Sequence, residues 1–378
     1  VVDPAKLLLL PDEKTLDDEY KRALKAGAKE KYLAPAKGGL TGVVATLKGA
    51  KPGPVVGFRF DIDANEVVEC SQPDHLPCKE KFACDTPGYA HMCGHDAHTA
   101  IGLLTAKCFA EHKAELCGTV KFIFQPNEEN LSGAAAMVDK GVVDDLDYLL
   151  GGHVGVSVLE TGHISFDLHN IMAMSRFEVT FTGRSAHAAG NPQQGKNAVH
   201  GACAAVTNLL GIARSSQGPT RVNVGTIQGG TTWNVIPEKA YFRMETRGAT
   251  TELNDYMVGR ARAIIEGAAK MHDLEYEIKP AAVSFGGATS PELMPIAEKV
   301  AGKLASVKKV VSSVDFSGSE DITVFMDRVQ KKGGKALFAL FGTPTGGGHH
   351  NSRFDIDEKV IYNAADFLLA LHSEIIDK

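Results

Sequence analysis

Three short apolar runs, each ending in residues that carry chemistry, constrain this chain more than any other feature. PVVGFRFDID (Pro54 to Asp63) ends in two acids, TVKFIFQ (Thr119 to Gln125) stops just before Asn-Glu-Glu, and LDYLLGGH (Leu146 to His153) ends in histidine. Short, nearly continuous apolar runs are the signature of strands buried on both faces. Between them, HTAIGLLTAKCFAEH (His98 to His112) and SGAAAMVDKGVVDDL (Ser132 to Leu146) carry apolar residues at helical spacing. Strand and helix in alternation predict a parallel sheet with helices on both faces. KALFALFG (Lys335 to Gly342) is a further such strand, and the helical pattern of EKVIYNAADFLLALHSEII returns the chain to the same sheet.

At 378 residues the chain exceeds what one hydrophobic core usually supports, so two domains are expected. The middle supplies the second. SRFEVTFTG reads as a strand, NAVHGACAAVTNLLGIARSS as a helix, RVNVGTI and KAYFRMETRG as strands, TELNDYMVGRARAIIEGAAKMHD as a helix and EYEIKPAAV as a strand. That order, βαββαβ, is the ferredoxin-like split sandwich. The expected division is residues 1–173 for the first part of a doubly wound sheet domain, 174–284 for an inserted lid or dimerisation domain, and 285–378 for the second part. The free sheet edge of the insert offers a natural surface for dimerisation.

Composition excludes several classes of function. The formal charge is -6, and the 40 Lys and Arg residues are scattered, so there is no footprint for nucleic acid. The apolar run at Leu7 to Leu10 is too short for a signal sequence, and no later run approaches a membrane span. A cytoplasmic protein is expected. Seven cysteines without paired spacing fit a reducing compartment better than a disulfide framework. Cys70, Cys78 and Cys84 lie close together, but no CxxC unit supports a structural zinc there.

In open α/β sheets, ligands bind beyond the carboxyl ends of the strands. Asp61 and Asp63 close the first run, Glu128 and Glu129 follow the second, His153 ends the third, and His349 and His350 lie in the glycine-rich loop after Gly342. Cys93, His95, Asp96 and His98, in MCGHDAHTA, sit just before a helix. Each piece has an ordinary reading: acids at a helix start, a core histidine, a polar turn. Their coincidence at strand exits does not. Thiolate, imidazole and carboxylate together suit borderline divalent ions, and the set is too large for one tetrahedral ion with an open position.

The motifs RFDIDA (Arg59 to Ala64), MCGHDAHTA (Met92 to Ala100), FQPNEE (Phe124 to Glu129), GGHVG (Gly151 to Gly155), GRSAHAA (Gly183 to Ala189), WNVIP (Trp233 to Pro237), SED (Ser319 to Asp321) and GHHNSRFD (Gly348 to Asp355) span nearly the whole chain. With them the sequence resembles the M20 metallopeptidases, subfamily D, and within these the aminobenzoyl-glutamate hydrolases, the A-type chains in particular, rather than hippurate or indole-acetyl-amino-acid hydrolases. The resemblance implies a zinc-peptidase-like sheet domain with an inserted dimerisation domain. It implies metal ligands at Cys93, His95, Glu129, His153 and His350, with His349 only a neighbour. It further implies a catalytic acid/base at Glu128, a histidine at His187 that serves the active site of the partner in a dimer, and substrate contacts at Asn234 and Arg247. Asn127 stands where the family usually has Ala. The histidine and proline-glutamate segment that opens family members has no counterpart here, so an N-terminal stretch is expected to be missing.

Amide hydrolysis needs a nucleophile at neutral pH, a stabiliser for the oxyanion and an acid for the departing nitrogen. Two divalent ions, Mn2+ or Zn2+, would supply Lewis acidity, and Glu128, the carboxylate free of coordination, would move the proton. Arg247 suits a substrate carboxylate, because a planar guanidinium matches that anion. Asp61 and Asp63 are expected to orient ligand imidazoles rather than bind metal. The implied reaction is cleavage of p-aminobenzoyl-glutamate to p-aminobenzoate and glutamate by a homodimer or a heterodimer with a related subunit. The alternatives are a broader N-acyl-amino-acid deacylase or carboxypeptidase and a non-catalytic partner subunit.

Overall fold

The protein, seen as a computed structural model, is described over residues 10–376. The apolar run Leu7 to Leu10 therefore lies outside the described residues except for Leu10. The chain divides into two compact units. The larger comprises residues 10–169, 288–317 and 321–376, and the smaller residues 170–287 with 318–320.

The larger unit begins with α1 (Glu13–Lys25), β1 (Val43–Lys48), β2 (Lys51–Asp61), α2 (His95–Glu111), β3 (Cys117–Gln125), α3 (Gly133–Asp139), β4 (Tyr148–Val154) and β5 (His163–Ser165). The smaller unit follows with β6 (Ala173–Thr182), α4 (Ala198–Leu210), β7 (Thr220–Gly229), β8 (Lys239–Gly248), α5 (Thr251–Met271) and β9 (Glu275–Ser284). The chain then returns to the larger unit through α6 (Met294–Ala301), β10 (Lys309–Val310), α7 (Ile322–Lys331), β11 (Lys335–Phe341) and α8 (Lys359–Ile376).

Seven strands of the larger unit form one sheet in the order β1-β3-β2-β4-β11-β5-β10. The central strands β3, β2, β4 and β11 are parallel. The flanks are mixed, since β1 runs antiparallel to β3 and β5 antiparallel to β11. Such flanking strands need no crossover helix to reverse the chain. The side chains of β2 alternate as the pleat requires. Phe58 and Phe60 face one side, where Phe58 meets Phe109 of α2 at 5.6 Å between ring centroids. Gly57 and Arg59 face the other, and a Cβ on Gly57 would lie 2.5 Å from Leu146. α2 packs with α8, and α3 packs with α7. Burying Phe58, Phe122, Leu150, Leu337 and Phe367 in this core contributes about 1.5–3 kcal/mol per side chain.

The helical pattern at Ser132 to Leu146 is only partly realised, because α3 stops at Asp139. Gly141 adopts a φ of +72°, and the amides of Gly141 and Val142 donate back to the carbonyls of Val138 and Met137. This is a Schellman stop, in which a left-handed glycine closes the last turn. The apolar residues beyond it, Val143 and Leu146, reach the core from turns.

The smaller unit realises the βαββαβ order as an antiparallel sheet, β9-β6-β8-β7. Its core is separate, built from Phe177, Phe181, Phe242, Met257 and Ile265 among others. Asn197 and Thr250 cap α4 and α5 by accepting the amides of His200 and Leu253. No helix among the described residues is long and apolar enough to cross a membrane.

Candidate active site

Within the larger unit, the carboxyl ends of the parallel strands carry the residues that the sequence singles out. Asp61 ends β2, and His153 lies near the end of β4. After β3 the backbone turns through Asn127 and Leu131, with φ values of 59° and 52°, and this turn presents Glu128 and Glu129. The loop after β11 is opened by Gly347 and Gly348 and places His350 at a φ of 61°. Gly94, with a φ of +92°, lets α2 begin at His95, and a Cβ there would meet Val154 at 2.4 Å. The chain thus needs glycine at this point to set Cys93 and His95 against β4.

The side chains converge. Cys93, His95, His98, His153, Asp61 and Glu128 are buried. Ligand atoms of Cys93, His95 and Glu129 all lie within 4.8 Å of one another, as do those of Cys93, His153 and His349. Nε2 of His153 is 3.6 Å from Cys93 Sγ, while its Nδ1–H donates to the Val154 carbonyl at 2.9 Å. That bond fixes the tautomer and leaves the Nε2 lone pair free to coordinate. His95 is held through Nδ1 by the Asp63 carbonyl at 3.1 Å, and its Nε2 stands 3.9 Å from Glu129 and 4.0 Å from Glu128. His350 reaches Glu129 at 3.2 Å, whereas His349 donates through Nε2 to the Val154 carbonyl, also at 3.2 Å. His98 sits among the donors, yet both of its nitrogens are engaged. The Val154 amide donates to Nε2 at 3.0 Å, and Nδ1–H donates to Asp61.

The charges are arranged for a cation. Burial alone would push His95 down, but Asp61, Asp63 and Glu129 raise it to about 9. Burial, together with Glu129 and Glu128, pushes the Cys93 thiol well up. Burial and the neighbouring His98 and His349 hold His153 neutral, well below its ordinary value. His95 Nε2 and Glu129 Oε1 are buried with no hydrogen-bond partner. Orphaned polar atoms of this kind carry a desolvation cost that a divalent ion would remove. A thiol, imidazoles and carboxylates in one pocket fit such ions.

Behind these residues lies a network that reasoning from the sequence missed. Arg59, wholly buried, donates to Asp61 at 2.8 Å, to Gln125 at 2.7 Å and to Asp321 at 3.0 Å. Asp321 also accepts the amide of Ala134, at the start of α3. Burial opposes ionisation of Asp61, but Arg59 and the histidines 95 and 98 hold it well below the usual carboxylate range. Asp61 therefore grips His98 and faces His95 at 3.5 Å, while Asp63 faces His95 at 3.4 Å and accepts the Glu129 amide. Asn65, also unremarked, accepts the Met92 amide at 3.0 Å. The available signal was spacing: Arg59 and Asp61 share a strand face inside an apolar run.

The remaining predicted residues lie in the smaller unit. His187 Nδ1 accepts the amides of Ala189 and Gly190 at 3.2 and 2.9 Å, so Nε2 carries the proton. Asn234 gives its carbonyl to the Ala188 amide at 3.0 Å. Arg247 is paired through Nε with Glu245 at 2.9 Å, leaving its terminal nitrogens for other partners.

Over residues 57–374 the chain matches the family described as Peptidase family M20/M25/M40. It is 42% identical over 369 residues to the A chain of the p-aminobenzoyl-glutamate hydrolase of Escherichia coli (strain K12), covering 97% of this chain and 84% of that protein. It is equally 42% identical, over 368 residues and with the same coverage, to an indole-3-acetyl-aspartic acid hydrolase of Enterobacter agglomerans. Overall identity thus does not separate these two activities. Among solved structures, an aminobenzoyl-glutamate utilization protein from Klebsiella pneumoniae superposes with a TM-score of 0.80 at 37% identity, covering 98% of this chain and 84% of that one. A Bacillus subtilis dinuclear metal binding peptidase of the M20 family gives a TM-score of 0.69 at 25% identity, covering 98% and 94%. The chain belongs to peptidase family M20/M25/M40.

Proposed function

We propose that this chain is a two-metal amidohydrolase that cleaves p-aminobenzoyl-glutamate to p-aminobenzoate and glutamate. The observation that carries the reading is the convergence on the buried Cys93 of His95 with the half-buried Glu129 and of His153, with unpartnered polar atoms on His95 and Glu129. These four residues and His350 would hold the ions, Mn2+ or Zn2+. When bound, the ions supply Lewis acidity to the attacking water and the scissile carbonyl. Glu128, buried beside His95, takes the proton from water and returns it to the departing amine nitrogen. His187, with its proton on Nε2, is equipped to donate to the developing oxyanion, and in this reading it does so across a dimer. Arg247 meets the carboxylate of the amino acid and Asn234 the amide. Asp61 and Asp63 hold the ligand imidazoles from behind.

The equal likeness to an indole-3-acetyl-aspartate hydrolase favours a second reading of the substrate. Both named compounds join an aromatic acyl group to an acidic amino acid, so the shared class is an aromatic acyl amide of glutamate or aspartate. All seven cysteines stand as free thiols, which supports work in the reducing cytoplasm. The partner is a second copy or a related subunit.

Glu128→Gln is the direct test. Metal content should be retained while turnover falls about 10²- to 10⁴-fold, the range for loss of a general acid–base. Retained turnover would remove Glu128 from this role. Rates for p-aminobenzoyl-glutamate, indole-3-acetyl-aspartate and benzoyl-glycine, measured side by side on the chain purified alone, separate the substrate readings. They also separate an active chain from an accessory one.

A further inference from the structure

Trp233 is the only tryptophan of the chain, and it is 98% exposed. Indole is a large, mostly apolar surface that folded chains bury at least in part, or reserve for contact with something else. Its segment joins β7 to β8, and it is not loose. The Ile236 amide donates to the Ala186 carbonyl at 2.8 Å, the Ala188 amide donates to Asn234 at 3.0 Å, and Val235 forms a bridge with His187. The indole is therefore carried on a backbone braced against the segment that carries His187, with Asn234 next to it in sequence. At 98% exposed, the indole makes little contact with its own chain.

Resting on the amidohydrolase reading above, we propose that Trp233 is the platform on which the aromatic acyl group of the substrate stacks. A flat π face accepts a benzoyl or indolyl ring in an offset or edge-on arrangement and offers nothing comparable to an acetyl group. Trp233 would thus set the preference for an aromatic acyl group, leaving proton transfer to Glu128. It is a specificity residue.

The single tryptophan makes the test direct. In metal-loaded Glu128→Gln protein, titration with benzoyl-glutamate should quench or shift the tryptophan emission, and acetyl-glutamate at equal concentration should not. In the active chain, Trp233→Ala should lower the ratio of kcat/KM for benzoyl-glutamate over acetyl-glutamate about 3- to 10-fold, as expected for loss of one aromatic pair. The change should fall in KM, and Trp233→Phe should restore most of the ratio. An unchanged ratio, an emission blind to benzoyl-glutamate, or a Trp233→Ala protein whose oligomeric state changes in sedimentation would overturn the platform. The last outcome would make the indole an intersubunit contact instead. If the wild-type chain hydrolyses neither compound, the amidohydrolase reading fails, and the emission titration alone still decides whether Trp233 receives an aromatic ring.

Discussion

His372 shows how one residue ties this fold to pH. It lies 4% exposed against Phe109, at 4.6 Å between rings, and near Phe58, and its Nε2 has no hydrogen-bond partner. Burial lowers its pKa from 6.5 to about 4. Above pH 6.5 the ring is neutral in both folded and unfolded chains, and its contribution is complete. As pH falls from 6.5 towards 4, the unfolded chain takes up a proton that the folded chain refuses, so stability is lost through that window. Between pH 7.5 and 5 the loss from this residue should be about 2 kcal/mol. His372→Leu, which keeps the apolar volume, should unfold in urea with a midpoint less sensitive to acid than the wild type by that margin. Equal acid sensitivity in the two proteins would show that His372 is not the source. The histidines proposed to hold metal stand out in the sequence because His153 closes a strand, His350 lies in the loop after another, and His95 opens a helix after a glycine. Arg59 does not, because a charge inside an apolar strand makes sense only once Asp321, 262 residues away, is known to close over it.

Among the elements, α2 matters most, since it carries His95 and His98 to the site. Gly102 in this helix faces β2 and β3, where a Cβ would lie 2.7 Å from both Phe60 and Phe124. In an exposed helix, replacing Gly by Ala stabilises by about 1 kcal/mol. Here two rings already packed against each other, at 5.7 Å, would have to move, and overpacking of this kind costs about 1–3 kcal/mol. Gly102→Ala should therefore lower the urea midpoint and weaken metal affinity together, through the displaced helix. A higher midpoint would mean the rings yield freely. The same close packing explains what the sequence could convey about elements. Buried strands and the two capped helices of the smaller unit are written in local pattern, whereas the end of α3 depends on how Gly141 bends the chain. The spacing of Val143 and Leu146 continues a helical pattern past the point where the helix itself has stopped.

At the scale of the molecule, two hydrophobic cores in two units mean that a ligand of one need not stabilise the other. The discontinuous order was readable because the apolar strand at Lys335 repeats the type of the early runs, while the pleat of the middle alternates. Every residue proposed to hold metal belongs to the larger unit, where Glu128, Glu129, Asp61 and Asp63 crowd around Cys93 and the histidines. An ion bound only by the folded state stabilises it by about 2.7 kcal/mol when present at 100 times its Kd. In a unit of this size each kcal/mol moves Tm by about 2–4 °C. Chelation should thus lower one of two calorimetric transitions by about 5–10 °C and leave the other in place. Amide hydrogen exchange should assign the sensitive transition to β2, β3 and β4, with protection in β6 and β8 unchanged. If chelation instead lowered protection equally in both units, they would have to unfold as one cooperative body, and if it changed neither, the cluster around Cys93 would not be a metal site.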